Sequence, residues 1–80
     1  MKVIITPEAQ KQYSHIPLSE QKKIKKKLLL LEQDSEAGKK LSGQFAELRS
    51  LRAWPYRIIY YINKNTIYIV SVAHRQGVYK

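Results

Sequence analysis

The chain has no cysteine. That removes thiol nucleophiles, disulfides and cysteine-ligated metal together, and it fits a reducing compartment. Glycine and proline are scarce, at three each. No stretch reads as a flexible linker, and Gly38, Gly43 and Gly77 match no phosphate-binding loop. Long apolar runs are missing as well. The longest, "LLLL" at residues 28–31, falls far short of the ~20 residues of a membrane span. The opening "MKVIITPEAQ" has too short an apolar stretch for a signal peptide. These absences predict a soluble, cytoplasmic protein with no membrane partner.

Acidic residues are few, six in all. They are Glu8, Glu20, Glu32, Asp34, Glu36 and Glu47, mostly on predicted helices and loops. No carboxylate pair is placed for two-metal or glycosidase chemistry. The two histidines, His15 and His74, sit in unrelated segments and suggest no metal site. The sequence therefore predicts no metal and no cofactor.

What is abundant is positive charge. Fifteen Lys and Arg leave a net charge of +9 on 80 residues, with a pI near 9.9. So large an excess on one small domain, residues 1–80, points to a polyanionic partner such as nucleic acid, an anionic membrane or an acidic protein. A chain of this length buries only ~60% of its unfolded surface, so its core is modest.

Periodicity gives the elements. "KVIIT" reads as a first strand. Thr6 caps a helix with Pro7 at its first position, and Pro17 interrupts it. Ser19 is the expected cap of a second helix, "EQKKIKKKLLLLEQDSEA", with Ile24, Leu28 and Leu31 on its buried stripe and Gly38 as its terminal glycine. "KKLSGQ" reads as a loop. "FAELRSLRA", "YRIIYYIN" and "TIYIVSVA" then have strand length and composition, separated by "WP" and "NKN". The order β-α-α-β-β-β predicts an α+β fold, an antiparallel sheet with a helical hairpin on one face.

Strand parity predicts two faces. With Lys64 and Asn65 turning the last hairpin, Ile58 is expected opposite Ser71. Leu51, Ile58, Tyr60, Ile62, Ile67 and Ile69 then face the helices. Ser50, Arg52, Arg57, Ile59, Tyr61, Tyr68, Val70, Val72 and His74 share the other side. Arg52 falls directly opposite Arg57, a repulsive pairing that either a bound anion relieves or solvent screens, the two arginines then lying exposed over aromatic rings. The closing "HRQGVYK" brings His74, Arg75 and Tyr79 to the same end of the sheet. Arg75 reaches the groove only if the strand ends or bulges near Ala73, and Gly77 would let Tyr79 fold back. Lys39, Lys40 and the cluster from Lys22 to Lys27, with Lys22, Lys23 and Lys26 among it, suit diffuse phosphate attraction.

Basic groups with His and Tyr as proton-transfer groups suit one reaction. In it the 2′-hydroxyl of RNA attacks the adjacent phosphorus, leaving a 2′,3′-cyclic phosphate and a 5′-hydroxyl.

These residues resemble the RelE/ParE superfamily of bacterial and archaeal toxins. The resemblance rests on "KKLSG", "LRAWPYRIIYYI" and "TIYIVSVAHRQGVY", covering residues 39–79, with the same layout in the first half. It implies the toxin of a type II toxin–antitoxin system. In its RelE branch this is an mRNA endonuclease acting in the A site of the small ribosomal subunit and held inactive by a cognate antitoxin. The family's sheet arginine matches Arg57, its tail arginine Arg75, its late tyrosine Tyr79 and its earlier hairpin cation Arg52. His74 stands where some relatives carry an acid–base histidine. The paired lysines of RelE fall near Leu48 and Ser50, so Arg49, Arg52, Lys39 and Lys40 are the available substitutes. The alternative is a ParE-like toxin that inhibits DNA gyrase without catalysis.

Overall fold

Lys2–Ile5 form β1, Pro7–Ser14 α1 and Leu18–Gln33 α2. Lys39–Lys40, Arg49–Ala53, Tyr56–Asn63 and Thr66–His74 follow as β2, β3, β4 and β5. The structure, a computed structural model, describes residues 1–41, 43 and 47–74.

The five strands form one sheet in the order β1-β5-β4-β3-β2. The β3–β4–β5 meander is antiparallel as expected, and β1 joins the outside of β5 in parallel. Val3 and Ile5 thereby align with Ile67 and Ile69, and all four side chains join the packing beneath the helices. Lys39–Lys40, expected as loop, pair with β3 as a two-residue edge strand. The strand expected from residue 45 begins at Arg49, and Phe45 and Ala46 lie outside the described residues.

Local chemistry explains the helix ends. Thr6 caps α1: its hydroxyl accepts from the Ala9 N–H at 3.4 Å and donates to the Ile69 carbonyl at 2.8 Å, tying the helix start to β5. Ser19 does not cap α2. Pro17 occupies that position, and its carbonyl receives the N–H groups of Glu20 and Gln21, both at 2.9 Å. Gly38 does not end α2 either. The helix stops at Gln33, with Asp34 at the cap.

Ile24 and Leu31 of α2 are fully buried together with Ile58, Tyr60, Ile67 and Ile69 of the sheet. Leu28 packs against the same cluster from the half-exposed margin of the helix stripe. Each such side chain contributes roughly 1.5–3 kcal/mol of hydrophobic stabilisation when fully buried.

The expected turn at Lys64 and Asn65 is present, both with left-handed φ, 50° and 61°. That suits a two-residue hairpin matched to strand twist. The register it sets holds to Tyr60 opposite Ile69 and then breaks. Ile59 lies opposite Ser71, so Val70 is an extra residue, a β-bulge. Beyond it Ile58 faces Val72 rather than Ser71. Val72, expected on the open face, is in the core, and Gln12 of α1 accepts its N–H at 2.7 Å.

Candidate functional site

The β3–β4 hairpin sets Arg52 directly opposite Arg57, as parity required. Lys39 lies opposite Ser50 and joins them from β2. Because β2 stops at Lys40, it pairs only with Arg49 and Ser50 of β3. Around that edge runs a groove of about 440 Å³ whose lining includes Lys27, Lys39, Ser50, Arg52 and Arg57. No carboxylate lines it among the described residues. Four cations on one concavity repel one another, and a bound polyanion relieves that repulsion. The two guanidiniums offer planar, bidentate donors suited to phosphate, and the two ammoniums offer point charges.

A buried polar network positions this edge. The Tyr60 hydroxyl donates to the Ser35 carbonyl at 2.9 Å and accepts from the Gly38 N–H at 2.8 Å. Arg49 donates to the Gly38 carbonyl at 3.1 Å. Gly38 is required by closeness, since a Cβ there would meet the Tyr60 oxygen at 2.5 Å. Burial raises the Tyr60 pKa above the ordinary phenol value, against the lowering effects of the Gly38 hydrogen bond and the Arg49 charge. The phenol is therefore a structural pin between the end of α2 and β4. It holds the residue just before Lys39.

The predicted site residues divide. Arg52, Arg57 and Lys39 meet in one groove. Arg49 and Lys40 line a different concavity with Glu47 and Tyr61. Lys22 is exposed on α2, and Lys23 pairs with Glu20 at 3.1 Å. Lys23 and Lys26 line a cleft toward the β3–β4 turn. His74 departs from the face expected for it. The bulge at Val70 shifts parity, so Ala73 stands opposite Arg57 and His74 opposite Tyr56. Their rings meet edge to face at 5.6 Å and 81°. Arg75 and Tyr79 lie outside the described residues.

Sequence reasoning counted Lys27 only as one of the diffuse Lys22–Lys27 cluster, although Lys23, Lys27 and Leu30 stand at i, i+4, i+7, on one side of α2, and it missed Trp54. Trp54 was read as punctuation beside Pro55.

Comparison with known proteins places this arrangement. A family model described as the ParE toxin of the type II toxin–antitoxin system parDE matches residues 3–79. The chain belongs to the ParE toxin family. No curated protein matches the sequence significantly. Among solved structures, a chain of the Mycobacterium tuberculosis RelBE2 toxin–antitoxin complex superposes with a TM-score of 0.85 at 26% identity, covering 92% of this chain and 96% of that one. The isolated Escherichia coli RelE toxin gives 0.76 at 24% identity, over 91% of this chain and 82% of that one. The Staphylococcus aureus YoeB dimer gives 0.77 at 22% identity, over 92% and 95%. The last two are likenesses of fold. The α+β architecture of this ParE-family toxin is thus the one shared by RelE and YoeB. No helix among the described residues is long and apolar enough to cross a membrane.

Proposed function

We propose that this toxin is a metal-independent endoribonuclease that cleaves mRNA on the ribosome and so stops translation in the cytoplasm. The observation that carries the reading is the convergence of Lys27, Lys39, Arg52 and Arg57 on one groove free of lining carboxylates among the described residues. Such a groove grips a phosphodiester and stabilises the extra negative charge of a phosphorane. The RNA supplies its own nucleophile. The 2′-oxygen loses its proton, bonds to phosphorus and displaces the 5′-oxygen, which takes up a proton. A 2′,3′-cyclic phosphate and a 5′-hydroxyl result. Arg57 and Arg75 balance the phosphoryl charge, Arg52 holds the anion, and Tyr79 moves protons, since His74 packs on Tyr56 away from the face of Arg57. The RNA is selected over DNA because DNA lacks the attacking hydroxyl.

A cognate antitoxin is the proposed protein partner. An acidic, amphipathic segment laid over a +9 chain is electrostatically matched to it and would occlude the groove.

The test is a cell-free translation reaction in which mRNA ends are mapped by primer extension. New 5′ ends within the open reading frame are expected as translation stops. Arrest with intact mRNA overturns the reading. The ParE family match favours a second reading, inhibition of DNA gyrase without catalysis. A supercoiling assay separates the two, because only a gyrase poison blocks supercoiling in the absence of ribosomes.

A further inference from the structure

Between α2 and the tip of the β3–β4 hairpin lies a second cleft, of about 330 Å³, lined by Lys23, Lys26, Lys27, Leu30, Ala53 and Trp54. Its composition is unusual for a solvated surface. Trp54 remains 55% exposed and Leu30 41% exposed, although both are large and apolar. Three lysines surround them, and no carboxylate lines the cleft among the described residues. Lys27 lines this cleft and also the Arg52–Arg57 groove. The aromatic cleft and the arginine groove therefore meet at one lysine side chain.

An apolar cleft rimmed by lysines could receive a nucleobase trailed by its phosphates, or an acidic amphipathic peptide. Continuity favours the nucleotide. A base against the indole sends its own backbone past Lys27 toward two opposed arginines suited to phosphate. A peptide carboxylate gains nothing special from that route. Aromatic faces stack any base, while nearby cations follow the strand.

We propose that Trp54 is a stacking platform for one base of a single-stranded RNA, with Lys27 holding the phosphate that links this base to the Arg52–Arg57 groove. The proposal rests on RNA being the polyanion, as in the reading above, and extends it with a subsite beside the reacting phosphate. Lys23 and Lys26 raise the local concentration of the strand. Leu30 and Ala53 form the apolar walls.

Trp54 is the single tryptophan of the chain, so its emission reports on this cleft alone. The experiment titrates an unstructured, end-labelled RNA oligonucleotide into the full-length toxin, following tryptophan emission and label anisotropy together. Emission is expected to be quenched in step with binding. An abasic strand of the same length should bind with strong salt dependence and little quenching. Trp54→Ala should weaken RNA binding by roughly five- to a hundredfold, the range for removing one stacking partner, and Trp54→Phe should retain most of the affinity. RNA that saturates the anisotropy signal while emission stays unmoved, with Trp54→Ala binding as tightly as the parent, overturns the platform. Quenching by an acidic peptide and none by RNA also overturns it, and assigns the cleft to a protein. The two proposals fail separately. Quenching by RNA together with intact mRNA in a translating extract sinks the endonuclease and leaves the platform standing. Unmoved emission together with undiminished mRNA cleavage by Trp54→Ala does the reverse.

Discussion

On the helix side of β4, Ile58 and Tyr60 are fully buried; one residue along, on the other side, Arg57 and Tyr61 are half-exposed. The same strand thus serves two environments, and each sorts its residues by a different rule. The covered side of β4 is apolar apart from the hydroxyls of Tyr56 and Tyr60, and the Tyr60 hydroxyl has two hydrogen-bond partners. The open side keeps an opposed arginine pair and a stacked pair of tyrosines, Tyr61 and Tyr68, with ring centroids 5.0 Å apart. Two like charges directly opposite on a sheet repel each other. The contrast separates a side built by burial from a side that keeps its charges at the surface.

Substitutions can break that contrast. Ile58→Ala should cost the most stability, about 2–5 kcal/mol, because it leaves a cavity among fully buried neighbours. Urea denaturation would show it as a lower midpoint with an unchanged slope. Arg57→Ala is expected to leave stability nearly intact yet lower mRNA cleavage in the cell-free assay by roughly a hundredfold, equivalent to about 2.7 kcal/mol of transition-state stabilisation. A large loss of stability with normal cleavage would erase the distinction between the two sides.

Gly38→Ala forces a methyl group against the Tyr60 hydroxyl and should cost about 1–3 kcal/mol. Thermal unfolding of this variant checks whether Lys39 owes its place to that close approach. Tyr60→Phe should cost about 1–3 kcal/mol by leaving the Gly38 N–H without its acceptor. It also has a pH signature. The folded state raises the Tyr60 pKa, so the unfolded phenol releases its proton first as pH rises. Stability tied to the neutral phenol is present below the unfolded value, near 10, and is lost as pH climbs through the folded value. Alkaline denaturation should therefore be shallower in Tyr60→Phe. The smallest effect is expected for Lys27→Gln, whose RNA affinity should fall only a few-fold while the salt dependence of binding drops by about one unit of slope.

The α+β order, the Thr6 cap, the Lys64–Asn65 turn and the Arg52–Arg57 pairing were all legible, because each follows from local chemistry or from unbroken alternation. The place of His74 was not. Alternation carries parity along a strand only while the register is regular, and nothing in "YIVSV" marks Val70 as the extra residue. Gly38 was legible as special but for the wrong reason. A glycine near a helix end suggests a cap, whereas this one answers to a tyrosine 22 positions away. Trp54, and the particular place of Lys27 within its cluster, were not legible, because both depend on α2 lying beside the hairpin tip, a tertiary fact. Leu41 illustrates the same limit, since its N–H reaches the Leu48 carbonyl at 3.1 Å across a connection that the sequence offers only as loop.

The bulge at Val70 also changes what counts as a small mutation in this protein. Removing that one residue would delete no catalytic group and no large core side chain. It would restore an unbroken alternation and leave the downstream pairings in place, with Ser71 still opposite Ile59 and Val72 still opposite Ile58. Ironing out the bulge while keeping Val70 is the damaging change, because it would send a serine into the core and a valine out of it. At this point of the chain a single-residue deletion is a smaller event than many substitutions. Homologous toxins that differ in length there should be compared by face rather than by column.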